Sequence, residues 1–408
     1  MTTDAALDAD VVVAGGGLVG LSLACALGQS RLRVLLVDPA PADAGATDHR
    51  SVALSPSSRR ILSALDIWPE VVGGAAPIST IQVSEAGGFG QLRLKAEDEG
   101  LDALGHVLMN RDLEAALRRR LARCESVRLV GGARVEAPRL TDDHVSLTLA
   151  GDHGVVRARL LLAADGAQSP LRTALDLETR DTDYGQTALV ATVSAAQPHQ
   201  GQAFERFTPD GPLALLPLPD GRLSLVWTVA SEQAVQLAGA DDPGFLQHLQ
   251  KAFGYRLGKF TTVSGRASWP LRLRRAPQRR RGRAVLVGNA ACNLHPVAGQ
   301  GLNLALRDVA ALAETLHQVG LAGQDPGNAA TLDQWLRRQQ ADQDRVVRFT
   351  HGLVGIFCNR LPGLRAGRNL GLVGMALLPM LRRRLTRQAM GSTETEGRLV
   401  RGLPLENR

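Results

Sequence analysis

The stretch Asp10-Val-Val-Val-Ala-Gly15-Gly-Gly-Leu-Val-Gly20 decides the fold. A short apolar run ending in glycines is the pattern of a buried parallel strand, and the small and apolar residues from Leu18 to Gly28 predict a helix. Gly15, Gly17 and Gly20 satisfy G-x-G-x-x-G. The first allows a tight turn, the second lets backbone approach a pyrophosphate, and the third lets helix and strand pack closely. Free N–H groups and partial positive charge at the helix start suit a diphosphate. A second strand, Arg33 to Val37, closes on Asp38, where a carboxylate accepts from a ribose hydroxyl. Strand, helix, strand and acid in this order predict dinucleotide binding. The segment alone does not separate FAD from NAD.

Working outward, Arg111 to Cys124 has helical spacing, with Leu113, Leu117 and Leu121 on one face. Val127 to Val130, Val145 to Leu149 and Val156 to Ala163 read as strands. From Thr187 to about Ser268 short apolar runs alternate with the turns Pro209-Asp-Gly-Pro212 and Pro219-Asp-Gly221, which predicts an antiparallel sheet. Ala284 to Val287 is again a buried strand, with Gly288 after it and a helix from about Gln300. The expected class is α/β. A discontinuous dinucleotide domain (1–75, 100–180 and 282–330) holds an inserted β-rich domain (76–99 and 181–281), and 331–408 form a C-terminal helical region.

With 408 residues, 44% of them apolar, the chain has enough material for a large core in two or three units. The net charge is +7 and nearly all the cations are Arg, which suits anionic partners or a solvated basic surface. Aromatics are only 3% and no basic stretch is interleaved with stacking residues, so no nucleic-acid partner is expected. Cys25, Cys124, Cys292 and Cys358 are far apart without C-x-x-C, so neither a metal site nor a redox pair is expected. No secretory signal precedes the first strand and no apolar run is long enough to span a bilayer. A cytoplasmic protein with reduced thiols is the expectation.

Two basic regions stand out. Residues 346–393 carry eight Arg and no acid, and include the largely apolar Leu370 to Leu381 followed by Arg382, Arg383 and Arg384. That run is too short to span, since about 20 residues are needed. It reads either as an interfacial helix against anionic lipid, peripheral at the inner membrane face, or as a helix covering the core. The seven Arg between Arg272 and Arg283 read as a solvated loop.

Two further segments narrow the cofactor. One is Leu160-Leu-Leu-Ala-Ala-Asp165-Gly-Ala-Gln-Ser169-Pro-Leu-Arg172, an apolar strand running into Asp-Gly and a helix capped near Ser169. The other runs from Ala284 through Gly288-Asn289-Ala-Ala-Cys-Asn-Leu-His295-Pro296-Val-Ala-Gly299-Gln300-Gly301-Leu302-Asn303 to Asp308. With the first segment they resemble the class A flavoprotein monooxygenases, aromatic hydroxylases that use one FAD. The His295–Gly301 portion, Arg50-Ser-Val-Ala-Leu-Ser55-Pro-Ser-Ser-Arg-Arg60, Glu205 to Pro217 and Trp269-Pro-Leu271 resemble the ubiquinone-biosynthesis hydroxylases within that class, nearest those acting on 2-polyprenyl-6-methoxyphenols. The resemblance runs from about residue 8 to 390. Asn289 stands where most of the wider family has Asp; Asn still donates and accepts.

The resemblance implies a Rossmann-like FAD domain of the glutathione-reductase type. Gly15, Gly17, Leu18, Val19, Gly20 and Asp38 would hold the ADP half, with Val135 also at the cofactor. Arg50 and Arg111 would lie along the diphosphate and ribityl, Asp165 and Asn289 would bond that region, and Pro296 to Asn303 (Gly299, Gln300, Gly301, Leu302 and Asn303 among them) would meet the isoalloxazine. It also implies NAD(P)H as a transient reductant, O2 as co-substrate adding at the flavin C4a, a lipophilic polyprenyl phenol as substrate, and other ubiquinone-biosynthesis proteins as partners. His295 is the nominee for phenol deprotonation, and Tyr184 for a bond to the phenolic oxygen. Trp227 and Trp269 read as core or pocket wall, and Cys292 as a packed residue rather than a nucleophile. The alternatives are another ring position in the same pathway, a prenyl-chain flavin reductase, and a non-catalytic flavin-binding subunit. The absence of Trp-x-Trp-x-Ile-Pro argues against a halogenase.

Overall fold

The computed structural model describes residues 7–45, 48–151, 153–294, 299–357 and 397–406, together with Gly371, Gly374, Leu378 and Thr386. Three sheets organise them.

The first sheet is built on four parallel strands in the order Ala284–Leu286, Val155–Ala163, Ala9–Ala14, Val34–Asp38, with Val127–Gly131 continuing it in parallel. These are the apolar runs of the sequence, buried on both faces, as parallel strands covered by helices must be. Helices Leu18–Leu27 and Gln300–Leu321 pack side by side on one face, and Asn110–Leu121 packs on the first of them. The Gln300–Leu321 helix is amphipathic, with Leu306, Val309, Ala313 and Leu316 buried.

The long sheet runs Cys292–Asn293, Phe260–Arg275, Arg180–Ala195, Leu223–Ala230, Pro212–Pro217, Gln202–Phe207, Thr80–Glu85, Gln91–Lys95. The expectation of an antiparallel sheet holds for all its pairs but one. Gln202–Phe207 lies parallel to Thr80–Glu85. The two segments come from distant parts of the chain, so no hairpin dictates their direction. Helices Ser231–Gly239 and Asp242–Phe253 cover one face, burying Leu225, Trp227, Phe245 and Phe253. The other face turns toward a small sheet of Ser51–Leu54, Gly105–Met109 and Ala76–Ile78.

The arginine run from Arg272 to Arg283 is not a solvated loop. Five of its seven arginines lie in the strands Phe260–Arg275 and Arg280–Arg281, and each of the seven is paired with an aspartate: Asp183, Asp181, Asp344, Asp308, Asp333, Asp176 and Asp325 in turn. The partners are scattered over the chain, so no local pattern announces them. The C-terminal region starts as expected with the helix Ala329–Phe357. Its end differs: residues 397–406 form turns that bury Leu399, Val400 and Leu405 against the first core, and Arg60 Nε donates to the Val400 carbonyl at 2.8 Å. Most of 346–393 lies outside the described residues. Among the described residues, no helix is long and apolar enough to cross a membrane.

Candidate FAD-binding site

Three adjacent parallel strands, Ala284–Leu286, Val155–Ala163 and Ala9–Ala14, release the three glycine-containing segments at their carboxyl ends. That edge of an open α/β sheet is where ligands bind. Segments separated by more than a hundred residues are thereby gathered into one place.

In the first segment the glycines divide their work. A methyl group on Gly20 would overlap the Gly15 carbonyl oxygen, so this glycine lets the helix sit on the strand. At Gly17 a Cβ would meet no protein atom within 4 Å. Gly17 is also the N-cap of Leu18–Leu27, with no side chain capping the helix and no acid in its first turn. The open space and the uncapped N–H groups make a cradle sized for a diphosphate. Asp38 ends its strand beside Gly16, buried and paired with Arg118 at 3.2 Å. Arg118 Nη1 is buried here without a hydrogen-bond partner among the described residues, a donor left over for a polar ligand group. These features fit the ADP half of FAD.

In the second segment Ala164 lies against Gly15, but the Asp165 carboxylate is already engaged. It accepts from Ser169 Oγ at 2.6 Å and from the Leu171 N–H at 3.0 Å, while Ser169 caps the short Pro170–Ala174 helix. In the third segment Gly288 packs on Val19 in the first turn of the glycine-motif helix. Asn289 next to it is exposed and makes no hydrogen bond to the described residues. Gly299 takes a left-handed conformation, φ 60°, and starts the Gln300–Leu321 helix without a side-chain cap. The N–H groups of Gln300, Gly301 and Leu302 therefore open a second anion-stabilising helix start.

Asn303, the last of the residues expected at the isoalloxazine, has all of its side chain committed elsewhere. Its Oδ1 accepts from the Ser55 N–H (2.9 Å) and Ser58 Oγ (2.7 Å), and its Nδ2 donates to the carbonyls of Ala53 (2.8 Å) and Gly299 (2.9 Å). It ties the Ser51–Leu54 strand to the helix start. Val135 likewise points into the core of the parallel sheet. His295 and Pro296 lie outside the described residues.

Arg50 and Arg111 share a border cluster. Arg50 makes a two-pronged bond to Asp48 (Nε–Oδ1 2.9 Å, Nη2–Oδ2 2.7 Å), and Asn110 Nδ2 donates to the same carboxylate. Burial pushes the Asp48 carboxyl up, but these bonds outweigh it and hold it at about 2. Arg111 is half-exposed, with Nη1 3.3 Å from His49 Nδ1. Trp269 forms wall rather than core, about half exposed, whereas Trp227 is buried in the core of the long sheet. Tyr184 sits where the strand pairing becomes irregular between Asp183 and Thr187, and burial raises its pKa. Cys292 is buried, which pushes its thiol up to about 11 and makes it a poor nucleophile.

The family model of the FAD binding domain matches residues 8–350. The chain belongs to this family. It is 38% identical over 403 residues to the ubiquinone hydroxylase UbiL of Rhodospirillum rubrum, covering 97% of this chain and 94% of that one. It is 32% identical to the 3-demethoxyubiquinol 3-hydroxylase of Escherichia coli (94% and 98% covered). Among solved structures, p-nitrophenol 4-monooxygenase PnpA from Pseudomonas putida DLL-E4 shares the fold, with a TM-score of 0.79 at 20% identity over 95% of this chain and 99% of that one. This family member is an FAD-dependent class A monooxygenase that uses NAD(P)H and O2.

Five further residues shape the site without a motif to announce them. Arg118 holds Asp38, and Asp48 holds Arg50. Ser51 on the small sheet bonds Ser224 on the long sheet, Oγ to Oγ at 2.7 Å. Glu205 stands between Ala214 and Val83 on the long sheet. Only the last left a local trace, a lone acid on an otherwise apolar strand face.

Proposed function

We propose that this monooxygenase hydroxylates the aromatic ring of a polyprenylated phenol in ubiquinone biosynthesis. The observation that carries the reading is the wall beside the cofactor cradle. Ala214, Val226 and Val190 stand side by side in one register row of the long sheet, half-buried, on the face that Ser224 bonds to Ser51, and Trp269 lies on the same face. An apolar wall with an indole at its edge suits an electron-rich ring with a hydrocarbon tail. The two relatives, a ubiquinone hydroxylase and a demethoxyubiquinol hydroxylase, support the pathway.

Bound FAD would supply the hydride acceptance and oxygen transfer. The chain's own residues would do the rest. Gly15 to Gly20 hold the diphosphate against the Leu18–Leu27 helix, and Asp38 accepts from the adenosine ribose. Arg50, Arg111, Asp165 and Asn289 line the diphosphate and ribityl region, Asp165 chiefly through the turn it caps. The helix start at Gln300 to Leu302 would favour negative charge on the bound flavin ring. The apolar wall limits water at the reacting centre. His295 and Tyr184 would lie near the substrate oxygen.

The test supplies prenylated phenols, NADPH or NADH, and labelled O2 to the FAD-loaded protein. One labelled oxygen in the ring and phenol-dependent NAD(P)H oxidation are expected. A flavin-loaded protein that oxidises NAD(P)H no faster with any phenol, and leaves no label in a ring, would sink the reading. Comparing mono- and trisubstituted phenols then assigns the ring position.

A further inference from the structure

On the Gln202–Phe207 strand, Ala203, Glu205 and Phe207 share the face turned toward the small sheet and the apolar wall, while Phe204 belongs to the opposite, helix-covered face. Ala203 and Phe207 are buried, and across the strands Glu205 stands opposite Ala214 on one side and Val83 on the other. All four immediate neighbours are therefore apolar. Glu205 makes no ion pair or hydrogen bond to any described residue, yet it keeps part of its surface accessible. A carboxylate held among apolar neighbours with no protein partner is costly unless something else meets it.

Its position says what that is. Glu205, Ala214, Val226 and Val190 form one row across four strands, so the acid ends the apolar wall. The adjacent row contains Ser224, bonded to Ser51, two residues from Ala53, whose Cβ lies against Gly299 at the helix start. Strand spacing and rise put the Glu205 and Ser224 Cα atoms about 12 Å apart, the width of an aromatic ring with its substituents plus contact distances.

We infer that Glu205 is the catalytic base of the phenol hydroxylation, taking the proton of the ring hydroxyl when the substrate lies along this wall. The inference rests on the hydroxylase reading above. In the step, the phenol O–H bond breaks and an O–H bond forms on a Glu205 carboxylate oxygen. The electron pair stays on the phenolate oxygen, raising electron density at the ring carbons ortho and para to it, and nothing is oxidised or reduced. The proton returns to the product oxygen or to solvent.

Burial among apolar groups pushes the Glu205 carboxyl up to about 7. Such a group is ionised in part near neutrality, yet is a stronger base than an ordinary carboxylate. Few charges face it. Glu85 shares its face one step along the parallel strand, the Pro212–Pro217 strand carries no titratable group, Arg93 and Arg206 lie on the opposite face, and His106 stacks away on Trp68.

The test compares FAD-loaded wild type with E205Q and E205D on a prenylated phenol. For E205Q, kcat is expected to fall about a hundredfold while the phenol dissociation constant, read by quenching of flavin fluorescence, changes less than about threefold. The rise of kcat/KM through about pH 7 is expected to vanish in E205Q and to survive in E205D at lower kcat. Electron-poor phenols that ionise unaided should recover most of the lost rate. Active wild type with an unchanged E205Q pH profile and kcat would overturn the inference. If E205Q loses its flavin, E205D decides, and an unaltered kcat there overturns it as well. Wild type inactive on every phenol overturns the hydroxylase reading instead.

Discussion

The Arg50 guanidinium lies over the Trp269 ring, its carbon 4.9 Å from the ring centre. This contact joins the cofactor border to the wall of the long sheet. Arg50 is held flat by Asp48 on one side and stacked on the indole on the other. Replacing Trp269 with Ala removes a stack of about 0.5–1 kcal/mol but leaves the Asp48 pair. The W269A enzyme is expected to keep its flavin and lose several-fold in kcat/KM. R50A loses both partners and is expected to bind FAD more weakly. Flavin absorbance after gel filtration separates the two, and equal flavin loss in both variants would contradict the assignment.

Gly17 and Gly20 predict opposite phenotypes for the same change. G17A places a methyl in open space, so apo-protein melting should match wild type, while flavin retention falls because the methyl enters the cradle. G20A drives a methyl into the Gly15 carbonyl and should lower the melting temperature of the apo-protein itself. Thermal melts with and without added FAD check the pair.

Glu205 also has a stability consequence. Its folded pKa, about 7, lies above the unfolded value near 4.5, so its contribution is most favourable below pH 4.5 and is lost as pH rises through 7. E205Q is therefore expected to gain stability over wild type as pH rises across that window, with the gap closing in acid. Urea unfolding at pH 4.5 and pH 8 measures it, and a pH-independent difference would count against the burial argument.

Asn303 is the anchor between the Ser51–Leu54 strand and the head of the Gln300–Leu321 helix. N303A leaves the Ala53 and Gly299 carbonyls and the Ser55 N–H without their side-chain partner, which should cost about 3 kcal/mol. Denaturant melts of the apo-protein read the loss. A destabilisation seen only with FAD bound would instead point to direct cofactor contact.

Much of the site was legible because its signals are local. Glycines at Gly15, Gly17 and Gly20, a strand before them and an acid at Asp38 are short-range features, and an apolar run buried on both faces looks the same wherever the chain takes it. The arginines from Arg272 to Arg283 show the limit. As a run they resemble a solvated loop, yet Arg279 is fully buried against Asp308. Asp165 and Asn303 show another. Their place in the motif suggests ligand contact, but Asn303 has its side chain spent on Ser55, Ser58, Ala53 and Gly299, and Asp165 also caps the turn through Ser169 and Leu171.

By itself the sequence determined that three strand-ending glycine segments exist and that one dinucleotide belongs with them, since turns, helix starts and buried strands are set by neighbours in the chain. Tertiary structure decided which residues meet. Parallel pairing of Val155–Ala163 between Ala9–Ala14 and Ala284–Leu286 gathered the segments at one edge. Cross-strand register set Glu205 between Ala214 and Val83, and packing of the small sheet on the long one brought Ser51 to Ser224. A carboxylate's chemistry depends on what surrounds it, and those surroundings come from segments far apart in the chain.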